Sequence, residues 1–144
     1  MIFFASFLRG TPPRLLVATF ALCLLPALGG AAEMDDATFA NYLVERSPWQ
    51  GEFEYTYGRY HDTGKLSLAF TSLNGTLQST LAGGRGVGTV SRLKIEGGTG
   101  KVSFESTTGN FYRLQLQDNG NLEGTADVRT GGESKIILRP TSKQ

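Results

Sequence analysis

The segment Glu52-Phe53-Glu54-Tyr55-Thr56-Tyr57-Gly58-Arg59-Tyr60-His61-Asp62 holds the densest mixture of acids, bases and aromatic rings in the chain. Read at a period of two, Trp49, Phe53, Tyr55 and Tyr57 fall on one face of a strand, and Gln50, Glu52, Glu54 and Thr56 on the other. Tyrosines near a strand end offer a flat apolar ring with a polar tip, the lining that small-ligand pockets use. Arg59 carries the same register into the adjoining hairpin, where a guanidinium suits an anionic ligand group. Trp49, Tyr55, Tyr57 and Arg59 are therefore expected to form one binding site.

The same residues support catalysis poorly. His61 is the sole histidine, and although Asp62 adjoins it, sequence neighbours on a strand point in different directions. A Ser/His/Asp triad would need its acid from elsewhere. Glu52 and Glu54 have a spacing that suits paired carboxylates, but they face away from Trp49 and read as a solvated outer surface. No cluster of His, Cys, Asp and Glu has metal-ligand spacing, so no metal and no cofactor are expected. Gly83-Gly84-Arg85-Gly86-Val87-Gly88 resembles a phosphate loop only superficially. It lacks the lysine of such loops and no helix follows it, so it reads as a flexible hairpin loop at a pocket rim. Asn74-Gly75-Thr76 is formally a glycosylation sequon, but Asn-Gly is better explained as turn or strand-bend chemistry.

The elements that must position these residues begin after an export signal. Arg9 and Arg14 precede an apolar run from Leu15 to Leu28, and the small residues Gly29, Gly30, Ala31 and Ala32 stand before acidic Glu33. This is the layout of a secretory signal peptide over residues 1–32, cleaved after Ala32. The run falls short of the roughly 20 apolar residues of a spanning helix. Leu22 before Cys23 is too large for a lipoprotein signal. Removing residues 1–32 from 144 leaves 112 residues, one small domain, and takes the single cysteine with it. It also removes two of the 14 basic residues, so 12 face 13 acids, a balance that excludes a basic nucleic-acid binder.

Residues 33–48 are expected to be a short helix and linker. Asp35 and Asp36 are N-cap candidates, Phe39 and Leu43 share an apolar face with Tyr42 and Val44, and Pro48 stops the helix. A helix this short is marginal alone and is expected to dock that face across a barrel end. Residues 49–144 form the barrel domain. Period-two runs recur at Trp49–Tyr57, Leu66–Phe70, Leu73–Leu81, Ser91–Ile95, Val102–Phe104, Tyr112–Leu116, Leu122–Val128 and Ile136–Leu138. Between them lie turn signals at Asp62-Thr63-Gly64, Gly97–Gly100, Thr108-Gly109-Asn110, Asp118-Asn119-Gly120 and Gly131-Gly132. Connectors this short force antiparallel pairing of neighbours. The expected fold is all-β, an antiparallel up-and-down meander of about eight strands closed into a small barrel, which removes both sheet edges. Gly51, Gly75 and Gly124 are expected where side chains would crowd such a closed sheet.

Residues 49–139 resemble the small calycin-type barrels, the group of lipocalins and avidins, at the level of architecture. The likeness rests on the early Trp-x-Gly strand (Trp49-Gln50-Gly51), on evenly spaced hairpins and on the Leu-x-Gly steps Leu73-Asn74-Gly75 and Leu122-Glu123-Gly124. Lipocalins place a glycine where Ser47 stands, and avidins carry several tryptophans where this chain has Trp49 alone. The resemblance implies a binding barrel more than an enzyme. The expected protein is an exported, periplasmic or secreted, non-enzymatic barrel that binds a small apolar or amphipathic ligand or a protein partner. It is not expected to bind nucleic acid, and it meets a membrane only through an uncleaved signal peptide. The alternative is an envelope-associated structural, interaction or inhibitor module with a filled barrel.

Overall fold

The computed structural model describes residues 34–84 and 86–141. The expected signal peptide, residues 1–32, lies outside the described residues. One helix, α1 (Asp36–Glu45), precedes nine strands: β1 (Trp49–Tyr57), β2 (Tyr60–Leu73), β3 (Thr76–Gly83), β4 (Gly86–Thr89), β5 (Ser91–Glu96), β6 (Lys101–Glu105), β7 (Phe111–Leu116), β8 (Leu122–Asp127) and β9 (Glu133–Pro140). They form one antiparallel sheet in the order β4-β3-β2-β1-β9-β8-β7-β6-β5, a meander rolled into a nearly closed barrel that is compatible with a calycin-like architecture.

Closure comes from one run of chain. Only Val90 separates β4 from β5, and its N–H donates to the Ser79 carbonyl at 3.0 Å, continuing the β4 ladder to β3. After a bulge between Ser91 and Lys94, with Arg92 at a φ of 53°, the same run pairs with β6. Its two halves thus serve the two edges of the sheet. This division accounts for nine strands where eight runs are visible in the sequence. The extra one, β4, lies within the glycine-rich stretch expected to be wholly loop.

One turn assignment and the role of one glycine are corrected. Asp62-Thr63-Gly64 lies inside β2, and the chain reverses at Gly58-Arg59 instead, with Tyr57 opposite Tyr60. Gly64 is there for packing: a Cβ on it would lie 2.5 Å from Cε1 of Phe53 across the ladder. Asn74-Gly75 is the β2–β3 turn, both residues at positive φ, so Gly75 meets a conformational need and not crowding. Gly51 and Gly124 do sit where side chains cannot fit. A Cβ on Gly51 would overlap the Ile137 carbonyl, and one on Gly124 the Arg113 carbonyl.

The helix plugs one end of the barrel. The Asp35 carboxylate caps it by accepting from the Thr38 N–H at 2.7 Å. Phe39 and Leu43, one turn apart, point into the barrel and are fully buried. The Asp36 carboxylate accepts from the Gly97 N–H at 2.7 Å, tying α1 to the β5–β6 turn. The core beneath holds Trp49, Leu68, Phe70, Phe104, Leu122 and Leu138, and each large apolar side chain so buried contributes about 1.5–3 kcal/mol.

Candidate binding cavity

Every second residue of a strand faces the barrel axis, and the size of those residues differs between the two ends. Near the helix they are large. Toward the opposite end the inner positions of β3 and β4 are Leu81, Gly83, Gly86 and Gly88, with Gly83 opposite Gly86 and Leu81 opposite Gly88. Glycine there leaves the wall without side chains, and a cavity of about 510 Å³ opens at this end.

Its apolar surface comes from Phe53, Leu66, Leu81, Tyr112 and Ile136. Tyr112 stacks on Phe104 at 4.8 Å between ring centroids, and burial pushes its hydroxyl above the usual tyrosine range, opposed by a hydrogen bond with Asn110. Tyr55 lines the same space, and its hydroxyl donates to the Gly131 carbonyl at 2.7 Å. A polar arc lies on the β6–β7 hairpin. There Ser106 Oγ and Thr108 Oγ1 are 2.9 Å apart, and the Asn110 N–H donates to Ser106 Oγ at 3.2 Å. This hairpin lies close to the free edge of β4: a Cβ on Gly88 would lie 2.6 Å from Cγ2 of Thr107. Arg129 and Asp62 are the charged residues on the cavity lining among the described residues.

The structure separates the residues expected to form one site. Trp49 and Tyr55 share the inner face, but they stand six positions apart along β1, about 20 Å of strand. Trp49 is fully buried at the helix end, where its indole N–H donates to the Leu43 carbonyl at 3.0 Å. It belongs to the plug and not to the cavity. Tyr57 is 56% exposed with its ring against Gly131, and Arg59 is exposed at the β1–β2 turn; neither lines the cavity. Of the four, Tyr55 alone does.

The cavity residues that the sequence reading passed over are Tyr112, the Ser106–Asn110 hairpin and Arg129. A signal for them exists. In an up-and-down meander alternate hairpins lie at the same end, so the turn holding Arg129 must neighbour the turn holding Arg59.

Glu52 and Glu54 lie on the outer surface, paired with Lys65 at 2.6 Å and with His61 at 3.9 Å. The Lys65 ammonium holds Glu52 below the usual carboxylate range. A broader hollow of about 1130 Å³ lies on the outside of β5–β9, flanked by Arg113, Glu123 and Lys135, with Ile137 41% exposed. It is an open saddle of mixed charge, not an enclosed space. The described residues contain no group of three or more His, Cys, Asp or Glu arranged to hold a metal. In comparisons with known proteins, the chain matches no protein-family model, no curated protein and no solved structure.

Proposed function

We propose that this chain is an exported, non-enzymatic β-barrel binding protein of calycin-like type that takes a small apolar or amphipathic ligand into the open end of its barrel. One observation carries this reading: a cavity of about 510 Å³ with aromatic and aliphatic walls on one side and hydroxyl groups on the other. Small-molecule sites span roughly 300–1,000 Å³ and combine those two kinds of lining. Plugging of the other end by α1 supports a single entrance.

Amide chemical-shift mapping with the amphipathic probe 8-anilinonaphthalene-1-sulfonate tests it. Shifts at Gly83, Gly88, Tyr112 and Ser134, with Leu43 and Trp49 unmoved, are the expected result. Shifts scattered over the outer strands, or none, would reject the reading.

The second reading is a protein-interaction module that uses the outer saddle, favoured by the exposure of Ile137 and by the presence on the same saddle of Phe111, over whose ring Arg113 lies at 5.4 Å. Ile137→Lys would abolish such an interaction and leave the cavity untouched.

A further inference from the structure

Resting on that binding reading, we propose that the ligand is a monoanionic amphiphile whose uncharged body enters the barrel and whose anionic head stays at the mouth against Arg129 and Thr107. The cavity walls below the mouth carry no charged side chain among the described residues, so a buried ionic group would lack a partner and would be costly to desolvate. Any ligand charge therefore stays at the rim, where Arg129 and Asp62 stand.

These two groups occupy different sides of the mouth. Asp62 faces inward from β2, opposite Tyr55, and its Oδ1 already accepts from the Thr63 N–H at 2.9 Å. Arg129 belongs to the β8–β9 turn, and β1 and β9 intervene between β2 and β8 in the sheet. Arg129 also leans away from β2. Its N–H donates to Asn110 Oδ1 at 3.1 Å, and a Cβ on Gly109 would lie 2.9 Å from its Cδ. The backbone of Arg129 is thereby tied, and its aliphatic stem laid, against the hairpin that carries Ser106, Thr107 and Thr108, which leaves the guanidinium exposed beside it.

Arg129 takes part in none of the ion pairs among the described residues. A carboxylate, sulfate-ester or phosphodiester head can accept two parallel N–H bonds from it and a hydroxyl bond from Thr107. The apolar body then lies against Phe53, Leu66 and Ile136. Asp62, across the mouth, disfavours an anion on its own side and so fixes which way the head turns.

Calorimetric titration of the purified protein with decanoate, decanol and decyltrimethylammonium, all below micellar concentration, tests the assignment. Decanoate should bind about tenfold or more tightly than the other two, the gain of a charge-assisted hydrogen bond. Arg129→Gln should bring decanoate to the level of decanol and leave decanol unchanged, and Arg129→Lys should recover part of the difference. Equal binding of all three, or tightest binding of the ammonium, would overturn the head assignment while leaving the cavity reading in place. Binding of none would overturn both.

Discussion

The indole N–H of Trp49 donates to the carbonyl oxygen of Leu43 across 3.0 Å, and both side chains are fully buried. The first residue of β1 is thereby fastened to the last turn of α1. Ser47 strengthens the joint: its hydroxyl donates to the same carbonyl at 2.8 Å and accepts from the Phe70 N–H at 2.8 Å. Trp49→Phe should destabilise the protein by about 1–3 kcal/mol through lost volume and a lost hydrogen bond. Urea unfolding followed by circular dichroism measures this, and ligand affinity should stay within twofold of wild type, roughly 0.4 kcal/mol.

Gly83 tests the origin of the cavity. Its φ is not in the left-handed region, and a Cβ would meet only Leu66 Cδ1 at 3.3 Å and the Lys65 carbonyl at 3.8 Å. Gly83→Leu should therefore fold with a stability change of no more than about 1 kcal/mol, because relief of glycine's entropy cost offsets tight packing. Binding at the open end should fall by about tenfold or more, since the new side chain takes the ligand's space.

Gly124 tests the closed sheet. A methyl group there would overlap the backbone of the neighbouring β7, which no rotamer change relieves. Gly124→Ala should cost more than about 3 kcal/mol, read as a fall in the urea midpoint. A near-neutral result would mean that the strands do not approach as closely as described.

Alkaline pH should weaken the fold through Tyr112. Its folded-state pKa is raised by burial, so the native state holds this proton more firmly than the unfolded chain. The stabilisation is complete below the unfolded pKa of about 10 and is lost as pH rises through the higher folded value. Tyr112→Phe should flatten the fall in stability between neutral pH and about pH 11, measured by urea unfolding across that window. At the acid end Asp35 acts with the opposite sign. Its carboxylate is lowered by the Thr38 N–H, so helix-cap stability is present above its unfolded pKa and is lost as pH falls through the folded value.

His61 is exposed, 3.9 Å from Glu54 on the outer face. His61→Ala should leave both binding and stability unchanged within about 0.5 kcal/mol. An exported hydrolase built on the only histidine would lose all activity with that substitution.

The fold was legible because period-two runs and short glycine-bearing turns both report local geometry. Phe39 and Leu43, one turn apart behind an aspartate cap, likewise announce the helix and its buried face. What misled was glycine, whose two uses look alike in a sequence. Gly64 sits in a strand to admit the Phe53 ring, whereas Gly75 sits in a turn at positive φ. The glycines at 83, 86 and 88 read as loop, yet the first lies in β3 and the other two in β4, and all three line the cavity.

The site was only partly legible for a related reason. Shared parity put Trp49 and Tyr55 on one face correctly, but parity says nothing of depth, and depth decides between plug and cavity. Arg129 is far from Tyr55 in sequence and near the same rim only because β9 returns beside β1.

Native mass spectrometry of the protein purified from its own host, beside the Gly83→Leu variant, reads directly whether the open end of the barrel holds a ligand. The wild-type chain should carry the added mass of one small molecule, and the variant, folded by circular dichroism, should not. A wild-type spectrum with the bare chain alone, or equal added mass on both proteins, would contradict the binding reading.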